Sequence, residues 1–242
     1  MTECPKFPDL KTVILNTSLK READQSHTQI LLDAISNLMK KADVEVTTFH
    51  LSNHIIPPGI YPDMTEHGYD KDEWPEIWKT IQASDILIIG TPIWLGEESS
   101  LCRVAIERLY AMSGELNSHG QSIFYGKTGG AVITGNEDGV KHTAMSLLFA
   151  LQHLGYSIPP QSDCGWIGEI GPGPSFGDKQ KGGAVGFDSD FTKRNTTIMT
   201  WNLLQLAQLL KSNGGFPKYG NDREAWKKGE RFGFELPDRS IK

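Results

Sequence analysis

The sequence predicts a doubly wound α/β fold, a parallel sheet of five strands with helices on both faces. Two observations predict it. Short apolar, β-branched runs alternate with stretches of helical periodicity. The central runs are continuously apolar, as parallel strands buried on both faces require. The β-α repeat then dictates right-handed crossovers that bring every strand C-terminus to one edge.

The strands fall at residues 12–16, 44–49, 85–90 and 130–134, with a weaker fifth at 156–158. The first helix spans 26–41, with Leu31, Ile35, Leu38 and Met39 on its apolar face and Ser26-x-x-Gln29 as a capping box. The second, 73–83, follows a Pro/Gly-rich loop at 56–62. The third spans 99–112 and the fourth 140–154, each with one apolar face, and the last runs from 191 to 211. Five strands so arranged suggest the order 2-1-3-4-5, with a ligand crevice between strands one and three. The whole chain, 1–242, reads as one domain. It carries a long Gly/Pro-rich loop at 165–190 and a C-terminal helix plus aromatic tail at 191–242.

Composition excludes several function classes. With 24 basic and 30 acidic residues the chain is mildly acidic, without the electrostatic footprint of a nucleic-acid binder or a polybasic membrane patch. No apolar run is long enough to span a bilayer, and the first residues lack an apolar signal region. Three scattered cysteines, Cys4, Cys102 and Cys164, form neither a disulfide framework nor a cluster motif, which suits a reducing, cytoplasmic setting. No G-x-x-x-x-G-K-[ST] is present, and the Gly171-Pro172-Gly173 run lies outside a strand-to-helix turn. His50 and His54 lack a third ligand, so no metal site is read. The Glu97-Glu98 pair reads as a solvated face or a favourable first helical turn.

Three loops converge on the C-terminal edge of the predicted sheet. The first crowds hydroxyls at Thr17, Ser18, Ser26 and Thr28, with Lys20 and His27, around a helix start. Free N–H groups and the helix dipole favour a phosphate there. An ordinary capped helix start is the alternative. The second, Thr91-Pro92-Ile93-Trp94-Leu95-Gly96, offers an apolar wall for a flat heterocycle. Trp94 as a core or interface aromatic is its alternative. The third, Thr134-Gly135-Asn136-Glu137-Asp138-Gly139, forms a concavity of backbone N–H groups. Its alternative is a plain loop with Asp138 as helix cap.

In order and spacing, these three loops resemble the flavodoxin-like NAD(P)H-dependent FMN reductase superfamily, over about residues 11–160. The resemblance implies FMN as cofactor and NADH or NADPH as co-substrate. It implies phosphate contacts from Ser18, Lys20, Ser26, His27 and Thr28. It also implies a ring wall of Pro92, Ile93, Trp94, Leu95 and Gly96. The pyrimidine edge then falls to Thr134, Gly135, Asn136, Glu137, Asp138 and Gly139. No protein acid or base is obligatory for the hydride transfer, so no catalytic residue is assigned. The expected function is an FMN-dependent oxidoreductase passing a hydride from NAD(P)H to a small acceptor such as a quinone or free flavin, in a homodimer or homotetramer. Residues 52–72 lack the cysteines of iron–sulfur relatives, so no cluster is implied. An electron carrier or redox-responsive binding protein without turnover is the alternative. The modest charge of −6 suits it less well. A fold that has lost its cofactor fits the intact hydroxyl cluster least.

Overall fold

The structure is a computed structural model describing residues 3–136, 138–171 and 173–237. Its main sheet joins β1 (Lys11–Asn16), β2 (Glu45–His50), β3 (Ile86–Trp94), β5 (Thr128–Gly135) and β6 (Asp163–Ile167) in the order β2-β1-β3-β5-β6. All four pairings are parallel. Numbered among the parallel strands alone, this is the expected 2-1-3-4-5. A two-residue strand, β4 (Glu97–Glu98), folds back antiparallel on the end of β3.

Alternation along each strand explains the continuous apolar runs. Val13, Leu15, Leu87, Ile89, Ala131 and Ile133 face α2 (Trp74–Gln82), α3 (Ser100–Tyr110) and α4 (Val140–Leu154). The intervening Ile14, Ile86, Ile88 and Val132 face α1 (His27–Lys41) and α5 (Asp190–Ser212). Both sheet faces are therefore core, and each buried Leu or Ile contributes roughly 1.5–3 kcal/mol.

Three expectations need correction. The fifth strand is Asp163–Ile167, not 156–158, where only Ser157 bridges to Thr128. The 165–190 segment is not one long loop. It begins inside β6 and contains a small hairpin, β7 (Lys179–Gln180) with β8 (Gly183–Ala184). The second predicted loop is largely strand, because β3 runs on to Trp94 and turns directly into β4.

Two anchors set the periphery. Arg108, fully buried, donates to the Pro57 and Pro62 carbonyls (3.0 Å each) and to Asp72 Oδ2 (2.6 Å), pinning the long connection after β2. After α5, Gln121 Nε2 donates to the Phe216 and Pro217 carbonyls. Beyond that point the tail, with α6 (Arg223–Lys227), packs on itself through Tyr219–Phe232 and Trp226–Phe234.

Candidate functional site

The turn after β1 is wired from inside the protein. Asn16, fully buried, is the hub. Its Oδ1 accepts the Ser18 N–H (2.9 Å), and its Nδ2 donates towards Ser26 Oγ (3.2 Å), Gln29 Oε1 (2.7 Å) and His50 Nδ1 (3.1 Å). His50 Nε2 in turn donates to the Lys20 carbonyl, which leaves Nδ1 as the acceptor that Asn16 needs. Thr17 is fixed to β3 by two bonds to the Gly90 carbonyl, and Ser99 Oγ donates to the Thr17 carbonyl. Ser26 caps α1 by accepting the Gln29 N–H (3.2 Å). The Gln29 side chain turns to Asn16 and Asp33, so only half of the capping box forms. As the first residues of α1, His27 and Thr28 have N–H groups without intrahelical acceptors.

The ring side is a hairpin rather than a loop. Leu95 (φ 53°) and Gly96 (φ 83°) occupy its two turn positions, the left-handed pair of a type I′ turn. Leu95 is 93% exposed and Trp94 56% exposed. A bulky residue in the left-handed region without burial to offset the strain marks a position shaped for something other than the fold. The hairpin is supported from behind: a Cβ on Gly139 (φ 136°) would lie 2.8 Å from the Gly96 Cα, and Thr143 Oγ1 donates to the Gly96 carbonyl.

The turn after β5 meets the start of α1. Thr134 Oγ1 lies 2.7 Å from Thr28 Oγ1. Asn136 turns its amide towards the segment before β7, donating to the Gly173 and Pro174 carbonyls (3.0 Å each) and accepting from Ser175 Oγ (3.2 Å). Phe176, only 5% exposed, packs between Trp166 and Phe187. Its carbonyl accepts from His27 Nδ1 (2.9 Å).

These pieces enclose a cleft of about 460 Å³. Of the sequence-derived candidates, Ser18, Lys20, His27, Thr28, Pro92, Ile93, Trp94, Leu95, Thr134, Gly135 and Asn136 line it. Ser26, Gly96 and Gly139 stand behind the lining, in the cap and the hairpin support. Asp138 is exposed, and the α4 cap position is Gly139 with no side-chain cap, so Asp138 is not the cap. Glu137 lies outside the described residues. Leu19, Ile170, Ser175 and Phe176 also line the cleft, the last three from the 165–190 segment, whose length and aromatics point to a pocket-shaping role in the sequence. Cys102 and Cys164, both buried, have their thiols pushed up to about 12 by desolvation, so neither is a thiolate at neutral pH.

The residues fit FMN. One end of the cleft has hydroxyls, an ammonium and a helix start, which suit a phosphate. The other end has an apolar wall, which suits a flat ring. The volume lies within the range of cofactor pockets. The family model for NADPH-dependent FMN reductases matches residues 10–164. The chain belongs to this family. FMN is the cofactor of this reductase family and NAD(P)H its electron donor.

Two relatives extend the match beyond those residues. The 8-demethyl-8-aminoriboflavin-5'-phosphate synthase of Streptomyces davaonensis is 35% identical over 223 residues, covering 89% of this chain and 82% of that protein. The crystal structure of RosB with bound 8-demethyl-8-formylriboflavin-5'-phosphate superposes with a TM-score of 0.78 at 31% identity, over 96% of this chain and 92% of RosB. A divalent metal cation transporter, MntH of Mycobacterium bovis, is 50% identical over 208 residues, 86% of this chain. This chain spans only 30% of that protein's length. Among the described residues no helix is long and apolar enough to cross a membrane. The apo NADH:FMN oxidoreductase EMOB shares the fold (TM-score 0.51, 12% identity, 82% of this chain and 89% of that one).

Proposed function

We propose that this reductase binds one FMN in the cleft and passes a hydride from NAD(P)H through it to a small acceptor such as a quinone or free flavin. The observation that carries the reading is the joining of two unlike ends in one cleft. A polar helix start meets an exposed apolar wall at Trp94 and Leu95. FMN, when bound, supplies the hydride-accepting ring. Ser18, Lys20, His27 and Thr28 hold its phosphate. Pro92, Ile93, Trp94 and Leu95 wall the ring and leave room beside it for a second flat molecule. Backbone N–H groups at Gly135 and Asn136 favour negative charge at the pyrimidine edge. Ser26, Gly96 and Gly139 act by holding those residues in place. The chain works as one domain, in a cytoplasmic homodimer or homotetramer.

A second reading is favoured by the 35% identity to the aminoriboflavin phosphate synthase. In it the bound flavin phosphate is itself the substrate, altered at its ring substituent. One experiment separates the readings. The purified protein is loaded with FMN, its spectrum recorded, and NAD(P)H oxidation followed across a quinone panel, with mass spectrometry of the released flavin. Turnover with unaltered FMN supports the first reading. A changed flavin mass with no NAD(P)H turnover supports the second. FMN bound without either supports an electron carrier, and FAD or no flavin refutes all three.

A further inference from the structure

His27 stands where two structures meet. It lines the cleft at the first position of α1, and its ring reaches across to the segment that leads into β7. Nδ1 lies 2.9 Å from the Phe176 carbonyl and 3.7 Å from Asp178 Oδ1. A carbonyl only accepts, so Nδ1 carries a hydrogen. In the neutral ring Nε2 is then a bare lone pair, on a residue that lines the cleft end read as the phosphate site. An acceptor facing a phosphate dianion is unfavourable. A protonated ring resolves this, because imidazolium has a donor at both nitrogens.

We propose that His27 is a proton-dependent latch. On binding FMN it takes up a proton, gives Nε2–H to the phosphate, keeps Nδ1–H on the Phe176 carbonyl, and so ties the β7–β8 hairpin to the phosphorylated cofactor. The proposal rests on reading the cleft as the FMN site. Asp178 is placed to offset the added charge, and it also organises the hairpin by accepting the Ser175 N–H through Oδ2 (2.7 Å). The hairpin is a unit able to transmit the tie. Gly177 N–H donates to the Val185 carbonyl and Val185 N–H to the Asp178 carbonyl. The charged group beside the imidazole is Asp178, just before β7, and Lys20 from the first turn lines the same cleft. Its ammonium donates to the Gln25 carbonyl (2.8 Å). Among the described residues, β3, β4 and the turn after β5 bring no charged side chain to the cleft lining. The consequence is a specificity device: a flavin without phosphate recruits no proton, and the hairpin stays bonded to α1 without being tied to the cofactor.

The test is calorimetric titration of the apoprotein with FMN at about pH 8, in buffers of different ionisation enthalpy. At that pH the FMN phosphate is already a dianion and an ordinary imidazole is neutral, so proton uptake must occur on the protein. The expected result is uptake approaching about one proton per FMN. His27→Gln should abolish it, and Asp178→Asn should lower it. Hydrogen exchange of residues 173–187 gives a second readout. FMN should slow it in the wild type and less in His27→Gln. FMN binding without proton uptake, or identical uptake in His27→Gln, overturns the latch and leaves the cofactor reading intact. Failure to bind FMN at all overturns both.

Discussion

The two ends of the cleft are built in opposite ways. The turn after β1 is held by groups that reach it from β2, β3 and the cap of α3: His50, Gly90 and Ser99 all bond to it, and Asn16 ties four partners together. The hairpin at Leu95-Gly96 is supported from behind only through α4, by the close approach of Gly139 and the Thr143 hydroxyl, and presents its turn to solvent. The first arrangement fixes donors before any ligand arrives, which lowers the ordering cost of binding. The second leaves an apolar surface open for a molecule that must come and go. On the proposed function, cofactor retention and acceptor exchange would fall to separate ends of one cleft.

Breaking the wired end should have the largest effect. Asn16→Ala leaves the buried Ser18 N–H unpaired and releases Ser26, Gln29 and His50, at a cost of about 3 kcal/mol. The apoprotein should show that loss in its denaturant midpoint, and FMN affinity should fall by about tenfold or more. A midpoint unchanged from wild type would show that the turn stands without its hub. Next is Gly139→Ala, which strikes the hairpin from behind. The added methyl meets the Gly96 backbone and the residue must hold a positive φ, together costing about 2 kcal/mol. Turnover should suffer more than FMN affinity, and equal losses in both would mean that the two ends are coupled.

A paired substitution sharpens the comparison within the phosphate end. Ser26 is a cap behind the lining and Thr28 is on it. Ser26→Ala should lower apoprotein stability by about 1 kcal/mol and FMN affinity little. Thr28→Ala should do the reverse, weakening FMN by a factor of roughly 5–10. Titration and thermal unfolding of both variants check this. Thr28→Ala with unchanged affinity would assign Thr28 to packing against Thr134 alone.

Much of this was legible in the residues. Four of the five parallel strands and all five long helices follow from apolar periodicity, because a strand buried on both faces and an amphipathic helix each leave a strong local signal. The fifth strand was misplaced. Tyr156-Ser157-Ile158 is β-branched and aromatic enough to suggest a strand, but register with β5 is made by Asp163–Ile167, and pairing across 30 residues leaves no local mark. The continuation of β3 past Pro92 was hidden for a related reason. Proline argues against a central strand, yet here Pro92 keeps register with Thr134 of β5 while the pairing with β1 has already ended at Gly90, so one side of the strand is free at that position. The role of His50 was equally invisible. A histidine whose work is to orient an asparagine leaves no spacing motif, and only the folded register, Asn16 beside His50, reveals it.

The smallest expected change in stability is the most informative about the open end. Leu95 holds φ at 53° and is almost wholly exposed. The left-handed conformation costs an L residue roughly 1–2 kcal/mol. Leu95→Gly removes that strain, but a glycine also gives the unfolded chain about 0.4–1 kcal/mol more conformational freedom. The two nearly cancel, so stability should move by no more than about 0.5 kcal/mol. Turnover should respond differently, because the variant loses an apolar side chain beside Trp94 where the acceptor would stack. The expected result is a raised acceptor KM with unchanged FMN affinity. Tryptophan quenching by FMN should also persist, and should shrink only in a Trp94→Phe control. A stability loss of about 2 kcal/mol or more would mean that Leu95 is covered in solution, which would make the hairpin a subunit contact rather than an acceptor wall.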